Sequence, residues 1–292
     1  MRGSEFYGIQ HVLYRHAGLL DLGVFPYSVQ HGWQNVPTRF EADDDPVELW
    51  AWSERIADAM RGLVEPSRVR VVGSPYLYLP PSAGPAHRKG AVYILPHSSH
   101  FARIGFSYEH LMDLLADIRA RAGGCDVLVY YLDVNPELCA LFRSAGARIL
   151  VNGGLWSSRF LHHFRDNIRR YRSLYYSSFG SGVLFARHEG LETVHVALES
   201  RLQDSSNPHL NAISTVPYDP VGACWDTDLE LGAAHVLAPQ ALRELILRGI
   251  REPVVLRRGP RRWVGNLRSG VRDHWNHVRP VERMVRYYNL ST

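Results

Sequence analysis

The chain has 292 residues, 46% of them hydrophobic and 21% charged, with a formal net charge of +4. This is the balance of a soluble globular protein, long enough for one large or two small domains. No segment approaches the roughly 18–20 unbroken apolar residues of a membrane span.

Residues 1–14 carry neither an apolar stretch nor a cleavage site, so no export signal is read there. Residues 1–6 (MRGSEF) resemble a cloning-vector leader running into plausible native sequence. Residues 27–30 read as a short strand ending at His31-Gly32-Trp33. Asp43, Asp44 and Asp45 are adjacent, and three consecutive carboxylates point in different directions, which fits a solvated loop better than a metal site. Residues 47–52 form a second strand, Ser53 is placed to cap a helix over 54–63, and residues 69–75 form a third strand. Pro80-Pro81-Ser82-Ala83-Gly84-Pro85 is a stiff, non-helical spacer. Residues 1–80 are therefore expected to be a small α/β domain, with a linker over 81–85.

The alternation is clearest over 86–198. A buried strand at 90–96 leads to a helix at 108–121 with apolar residues at helical spacing, stopped by Gly123-Gly124. A strand at 126–133 is followed by a helix at 136–144, begun by Asn135 and Pro136. A strand at 146–151, a helix at 159–171, a strand at 173–176, a helix at 183–188 and a strand at 193–198 complete the series. Strands alternating with helices predict a parallel, doubly wound sheet, whose ligands sit at the carboxyl ends of the strands. Two such ends stand out: the loop Pro96-His97-Ser98-Ser99-His100, and the turn Ser177-Ser178-Phe179-Gly180-Ser181-Gly182. The turn feeds a strand into a helix start, where outward N–H groups and the positive dipole end favour a phosphate. Its small residues allow close approach and its hydroxyls add donors, which makes Ser177, Ser178, Gly180, Ser181 and Gly182 the phosphate-binding candidates. His97 and His100, flanking Ser98 and Ser99, are suited to donate to a diphosphate or a sugar carboxylate, and Arg103 to pair with a phosphate. His31, at a strand end, is suited to take a proton from a bound hydroxyl. Asp133 reads as a helix-capping residue, and the loop 153–158 as another strand end.

Beyond residue 200 the pattern weakens to a polar stretch at 203–220 and a helix at 239–249, so the second domain is taken as 86–250. Cys125, Cys139 and Cys224 have no CxxC spacing, which argues against a disulfide framework or zinc site and for a reducing cytoplasm. Lys89 is the only lysine. From Arg251 to Arg286 ten arginines face Glu252, Asp273 and Glu282, with Trp263, Trp275, Tyr287 and Tyr288 interleaved. A segment of this kind, 251–292, fits a solvated helix, an anionic membrane surface or a polyanionic glycan; no specific nucleic-acid motif accompanies it.

Two α/β halves joined by a linker, with these loops, resemble GT-B glycosyltransferases. The residues that carry the resemblance are His31-Gly32, Ser53, Val71-Val72-Gly73-Ser74-Pro75, the 96–100 loop and the 177–182 turn. Within that superfamily the chain looks like bacterial surface-polysaccharide enzymes: Kdo, sialyl- and polysialyltransferases and CDP-glycerol glycerophosphotransferases. The resemblance implies two Rossmann-like halves with parallel sheets and flanking helices, here with a short N-terminal domain on the acceptor side. It implies transfer of a sugar from a nucleotide-sugar to a cell-surface polysaccharide or a lipid-linked acceptor, with no metal or cofactor. The donor's phosphates would lie on the 177–182 turn, a first-half residue such as His31 would be the base, and Glu189 would grip the donor's ribose. A cytoplasmic enzyme, peripheral at the inner membrane face, follows from that reading. A non-catalytic glycan- or nucleotide-binding protein of the same fold, or a nucleotide-sugar epimerase, stands as the alternative.

Overall fold

The computed structural model describes residues 3–21, 25–33, 48–81, 87–99, 102–205, 225–252, 271–272 and 274–290. In chain order the elements are α1 (Ile9–His16), β1 (Ser28–Val29), β2 (Leu49–Ala51), α2 (Glu54–Arg61), β3 (Val69–Val71), β4 (Ala91–Ile94), β5 (Ala102–Phe106) and α3 (Tyr108–Ala122). They continue with β6 (Cys125–Leu128), α4 (Pro136–Ser144), β7 (Ile149–Leu150), α5 (Phe160–Ile168), β8 (Ser173–Tyr176), α6 (Ser181–His188), β9 (Glu192–His195) and β10 (Ser200–Ser205). The last are α7 (Thr227–Leu231), α8 (Pro239–Ile250) and α9 (Arg279–Leu290). Two compact units emerge: Met1–Ser82 with Leu155–His162 and Trp225–His274, and Ala83–Gly154 with His163–Cys224 and Trp275–Thr292.

The first unit is built on a three-stranded parallel sheet, β1-β2-β3, paired from Ser28↔Leu49 and Leu49↔Val69. Ile56, Ala57 and Met60 on one face of α2 pack against Leu49, Ala51 and Val69. Ser53 stands at the N-cap of α2 in extended conformation, but its hydroxyl makes no capping hydrogen bond. The stretch 225–250, expected in the 86–250 domain, belongs here instead. Ser74 N–H donates to the Leu231 carbonyl at 2.7 Å and the Tyr27 hydroxyl to the Leu245 carbonyl at 2.6 Å. Gly249 lets α8 close on Tyr27: a Cβ there would lie 2.5 Å from the phenol ring. Gly73 and Gly232 meet back to back, both at positive φ, and a Cβ on Gly232 would lie 1.8 Å from the Trp52 carbonyl oxygen. Only glycine satisfies both the backbone angle and that approach. The leader-like residues are also part of this packing, with Ser4 and Phe6 buried.

The second unit holds a five-stranded parallel sheet in the order β7-β6-β4-β8-β9. Leu111, Leu115 and Ile118 of α3 and Leu138, Cys139 and Phe142 of α4 cover Ala91, Tyr93, Val127 and Ile149 on one face. Strand alternation turns Ile94 to the other face, where Gly182 of α6 and Phe164 of α5 meet it. Gly123 ends α3 in the left-handed region, and the Asn135 side chain accepts from the Leu138 N–H to start α4, as the sequence predicts. The expected fold class, α/β with parallel sheets flanked by helices, is the observed one. The sequence reading gives residues 102–106 no element and places the end of 200–205 in the polar stretch 203–220. The two segments form an antiparallel pair, β5 with β10, running from Ser200↔Phe106 to Ser205↔Ala102. At the β7 edge of the five-stranded sheet α9 is bonded to the strand: Asn289 Oδ1 accepts from the Ile149 N–H at 3.1 Å, and Nδ2 donates to its carbonyl at 2.9 Å. Among the described residues no helix is long and apolar enough to cross a membrane.

Candidate functional site

The second unit's sheet is laid down outward from β4 to β6 to β7, and then resumes on the other side of β4 with β8 and β9. The strand order therefore reverses between β4 and β8, and loops leaving such a pair diverge to leave a crevice at their carboxyl ends. The register Ile94↔Tyr176 sets the starts of the 95–99 and 177–182 segments side by side at that reversal. The 177–182 turn is tied back to β4 by a hydrogen bond of 2.9 Å between the Tyr93 and Ser177 hydroxyls. Burial holds the Tyr93 phenol protonated well above its ordinary range, with the Ser177 contact only partly opposing this.

In the turn, Ser178 is exposed, while Ser177, Gly180, Ser181 and Gly182 are half-buried. Gly180 is the N-cap of α6, extended at φ −176°, with no side-chain cap. A Cβ added there would meet nothing within 4 Å, so open space lies in front of the helix start. Gly182 is different. A Cβ there would lie 2.8 Å from Ile94 Cδ1 and 3.1 Å from Phe164 Cζ, so this glycine serves the packing of α6 on the sheet. Phe179, buried just before Gly180, packs edge-on against Tyr176 and carries the Arg187 guanidinium over its ring.

Across the reversal, His97 is exposed; its Nδ1 lies 2.9 Å from the Ser98 carbonyl and its ring tilts against Tyr130 at 4.9 Å. Ser98 was expected to touch the donor, but it is buried and occupied by its own loop. Its N–H donates to Asp133 Oδ2 at 2.9 Å, and its Oγ accepts from the Ile104 N–H at 3.1 Å. Ser98 thus shapes the loop, and Asp133 anchors it, while Asn135 does the helix capping expected of Asp133. Ser99 N–H donates to the Ala102 carbonyl at 2.8 Å, and Arg103 is exposed on β5. His100 and Asp43–Asp45 lie outside the described residues.

Glu189 requires a correction. It follows the last turn of α6, at the opposite end of the helix from Gly180 and so at the amino edge of the sheet. There it is buried in an ion pair with Arg169, and its carbonyl accepts from Arg88 at 2.8 Å. It holds that edge together and does not reach the crevice.

In the first unit, His31 follows β1, half-buried, its ring edge-on to Phe6 at 5.7 Å. The turn that carries it is fixed by buried Gln30. The Gln30 side chain accepts from the Trp52 N–H at 2.9 Å and donates to the Gly32 carbonyl at 2.8 Å. The same unit contains a cluster that no sequence signal announced. Arg55 pairs with both oxygens of buried Glu230 at 2.7 Å, Trp33 Nε1 donates to the same carboxylate, and Arg55 lies 4.9 Å from the Trp225 ring centroid. Trp33 and Arg55 stand 197 and 175 positions from Glu230 in the chain, too far apart for a local pattern to join them. Among the described residues no group of three or more His, Cys, Asp or Glu side chains could hold a metal ion.

No protein-family model matches the chain, and no curated protein matches it in sequence. Among solved structures, a point mutant of S. aureus TarM in complex with fondaparinux, α-GlcNAc-glycerol and UDP is similar over 82% of this chain. The identity is 10% and the TM-score 0.35. The chain spans about half of that protein, matching 50% of its length.

Proposed function

We propose that the chain is a glycosyltransferase that binds a nucleotide-sugar at the carboxyl edge of the second unit's sheet and passes the sugar to a glycan or lipid-linked acceptor. One observation carries this reading: strand order reverses between β4 and β8 where a serine-rich turn opens into the start of α6. The donor's phosphates would lie before Gly180, held by the helix's first N–H groups and by Ser177, Ser178 and Ser181. As the glycosidic bond breaks, charge builds on the departing phosphate, and fixed donors with a helix dipole stabilise it without reorganising. His97, exposed across the reversal, would add a donor there, with His100 and Arg103, which follow it in the chain, as further candidates. His31 would serve as the base for the acceptor hydroxyl.

A thermal-shift series with CMP, CDP, UDP, GDP and dTDP tests the donor site. A nucleotide that binds only the folded chain raises its melting temperature by mass action. One nucleotide is expected to stabilise the native chain and to lose that effect in Gly180→Val, whose side chain fills the open space before the helix. If no nucleotide shifts the melt, or the shift survives in Gly180→Val, the donor site is not here. Nucleotide binding without sugar transfer or release would instead make the chain a non-catalytic binding protein.

A further inference from the structure

The C-terminal helix α9, with the π-helical turn His274–Val278 that leads into it, is two-faced in a way that its packing duties explain only by half. Val278, Val281, Val285 and Tyr288, spaced three and four apart, turn inward onto Tyr131 and the sheet's α3–α4 side. Trp275, Arg279, Arg283, Arg286 and Tyr287 form the opposite stripe. Trp275 is 56% and Tyr287 67% exposed, and Arg283 and Arg286 are exposed as well. The Arg279 guanidinium lies 4.0 Å from the Trp275 ring centroid. Glu282 is the only carboxylate in α9, so three arginines dominate that stripe.

We infer that this stripe is a docking surface for the headgroup region of an anionic phospholipid bilayer. The charge sign fits anionic lipid, and each arginine near such a leaflet adds to the attraction. The aromatics select a bilayer over other polyanions: Trp and Tyr partition to the interface, where ring and polar edge are both satisfied, with arginine stems lying along the apolar boundary. The inward stripe is already spent on the core, and no helix among the described residues crosses a membrane, so the helix would lie flat on the surface. The inference is independent of whether the sheet edge binds a nucleotide.

The test is co-sedimentation of the full chain with phosphatidylglycerol–phosphatidylcholine vesicles and with pure phosphatidylcholine vesicles. Binding is expected to the anionic vesicles only and to fall as salt is raised. The triple variant Arg279→Gln, Arg283→Gln, Arg286→Gln should lose roughly 100-fold in partitioning, the combined contribution of three arginines at an anionic leaflet. Trp275→Ala with Tyr287→Ala should weaken binding while leaving the melting temperature within about 2 °C, because both rings are mostly outside the core. Absence of wild-type binding to anionic vesicles overturns the inference without any variant. So does equal binding by the aromatic variant, or retention on immobilised heparin with no vesicle binding, which would mark a polyanionic glycan site.

Discussion

The two glycines of the 177–182 turn make opposite demands, and a pair of alanine substitutions separates them. In Gly182→Ala the new methyl would sit 2.8 Å from Ile94 Cδ1 and 3.1 Å from Phe164 Cζ. The isoleucine contact is the far end of a flexible side chain, but the buried Phe164 ring is held edge-on against Phe185 at 5.7 Å. Overpacking of this kind costs about 1–3 kcal/mol, offset by up to about 1 kcal/mol from the better helix propensity of alanine. The net loss is about 1–2 kcal/mol, or roughly 2–3 °C in melting temperature for a chain of 292 residues. Gly180→Ala meets nothing within 4 Å and keeps an extended backbone, so its stability should stay within about 0.5 kcal/mol of wild type. Scanning calorimetry of the three proteins side by side reads the difference directly. Should Gly182→Ala melt with or above wild type, or Gly180→Ala be the more damaged, the assignment of one glycine to packing and the other to open space is wrong.

Two further substitutions address charged pairs. Glu189→Gln removes a buried charge from the Arg169 pair and should cost about 2–3 kcal/mol, with any nucleotide-induced thermal shift unchanged; loss of that shift at unaltered stability would return Glu189 to the ligand site. For Glu48, burial pushes the carboxyl up, but hydrogen bonds from Arg70 and the Trp50 indole outweigh it and hold the pKa below the ordinary value. A depressed folded pKa gives stability that is complete above the unfolded value and is lost as pH falls toward the folded one. The melting temperature of wild type should therefore drop more steeply than that of Glu48→Gln between about pH 5 and 3, and parallel acid limbs would remove Glu48 from the account.

Much of the second unit was legible because its signals are local. Asn135 and Pro136 start a helix, Gly123 stops one, and apolar four-residue runs mark strands buried on both faces. The 95–99 and 177–182 segments could be named as strand ends from the same pattern, and parallel pairing of β4 with β8 brings their starts together. What escaped depends on residues far apart. The pairing of β5 with β10 joins segments about a hundred positions apart with no tight turn between them to announce it. Ser98 resembles its neighbours in sequence, and only the fold shows Asp133 and Ile104 consuming its amide and hydroxyl. Glu189 looked close to the turn along the chain, yet two turns of helix carry it to the other edge of the sheet.

The first unit is assembled from three stretches of chain, and the last of them arrives late. Tyr27 bonds to a residue 218 positions on, and Trp33 to one 197 positions on. In the second unit, Ile149 waits 140 positions for Asn289. On a ribosome, then, neither sheet has its late helix when its own strands have emerged: the first lacks α8 until residue 250 is made, the second α9 until residue 290. Loop closures of this length raise the entropic cost of the folding nucleus and slow its formation. A gene cut at the 81–85 spacer would not yield an autonomous N-terminal domain, because the residues that cover its sheet are encoded beyond the cut.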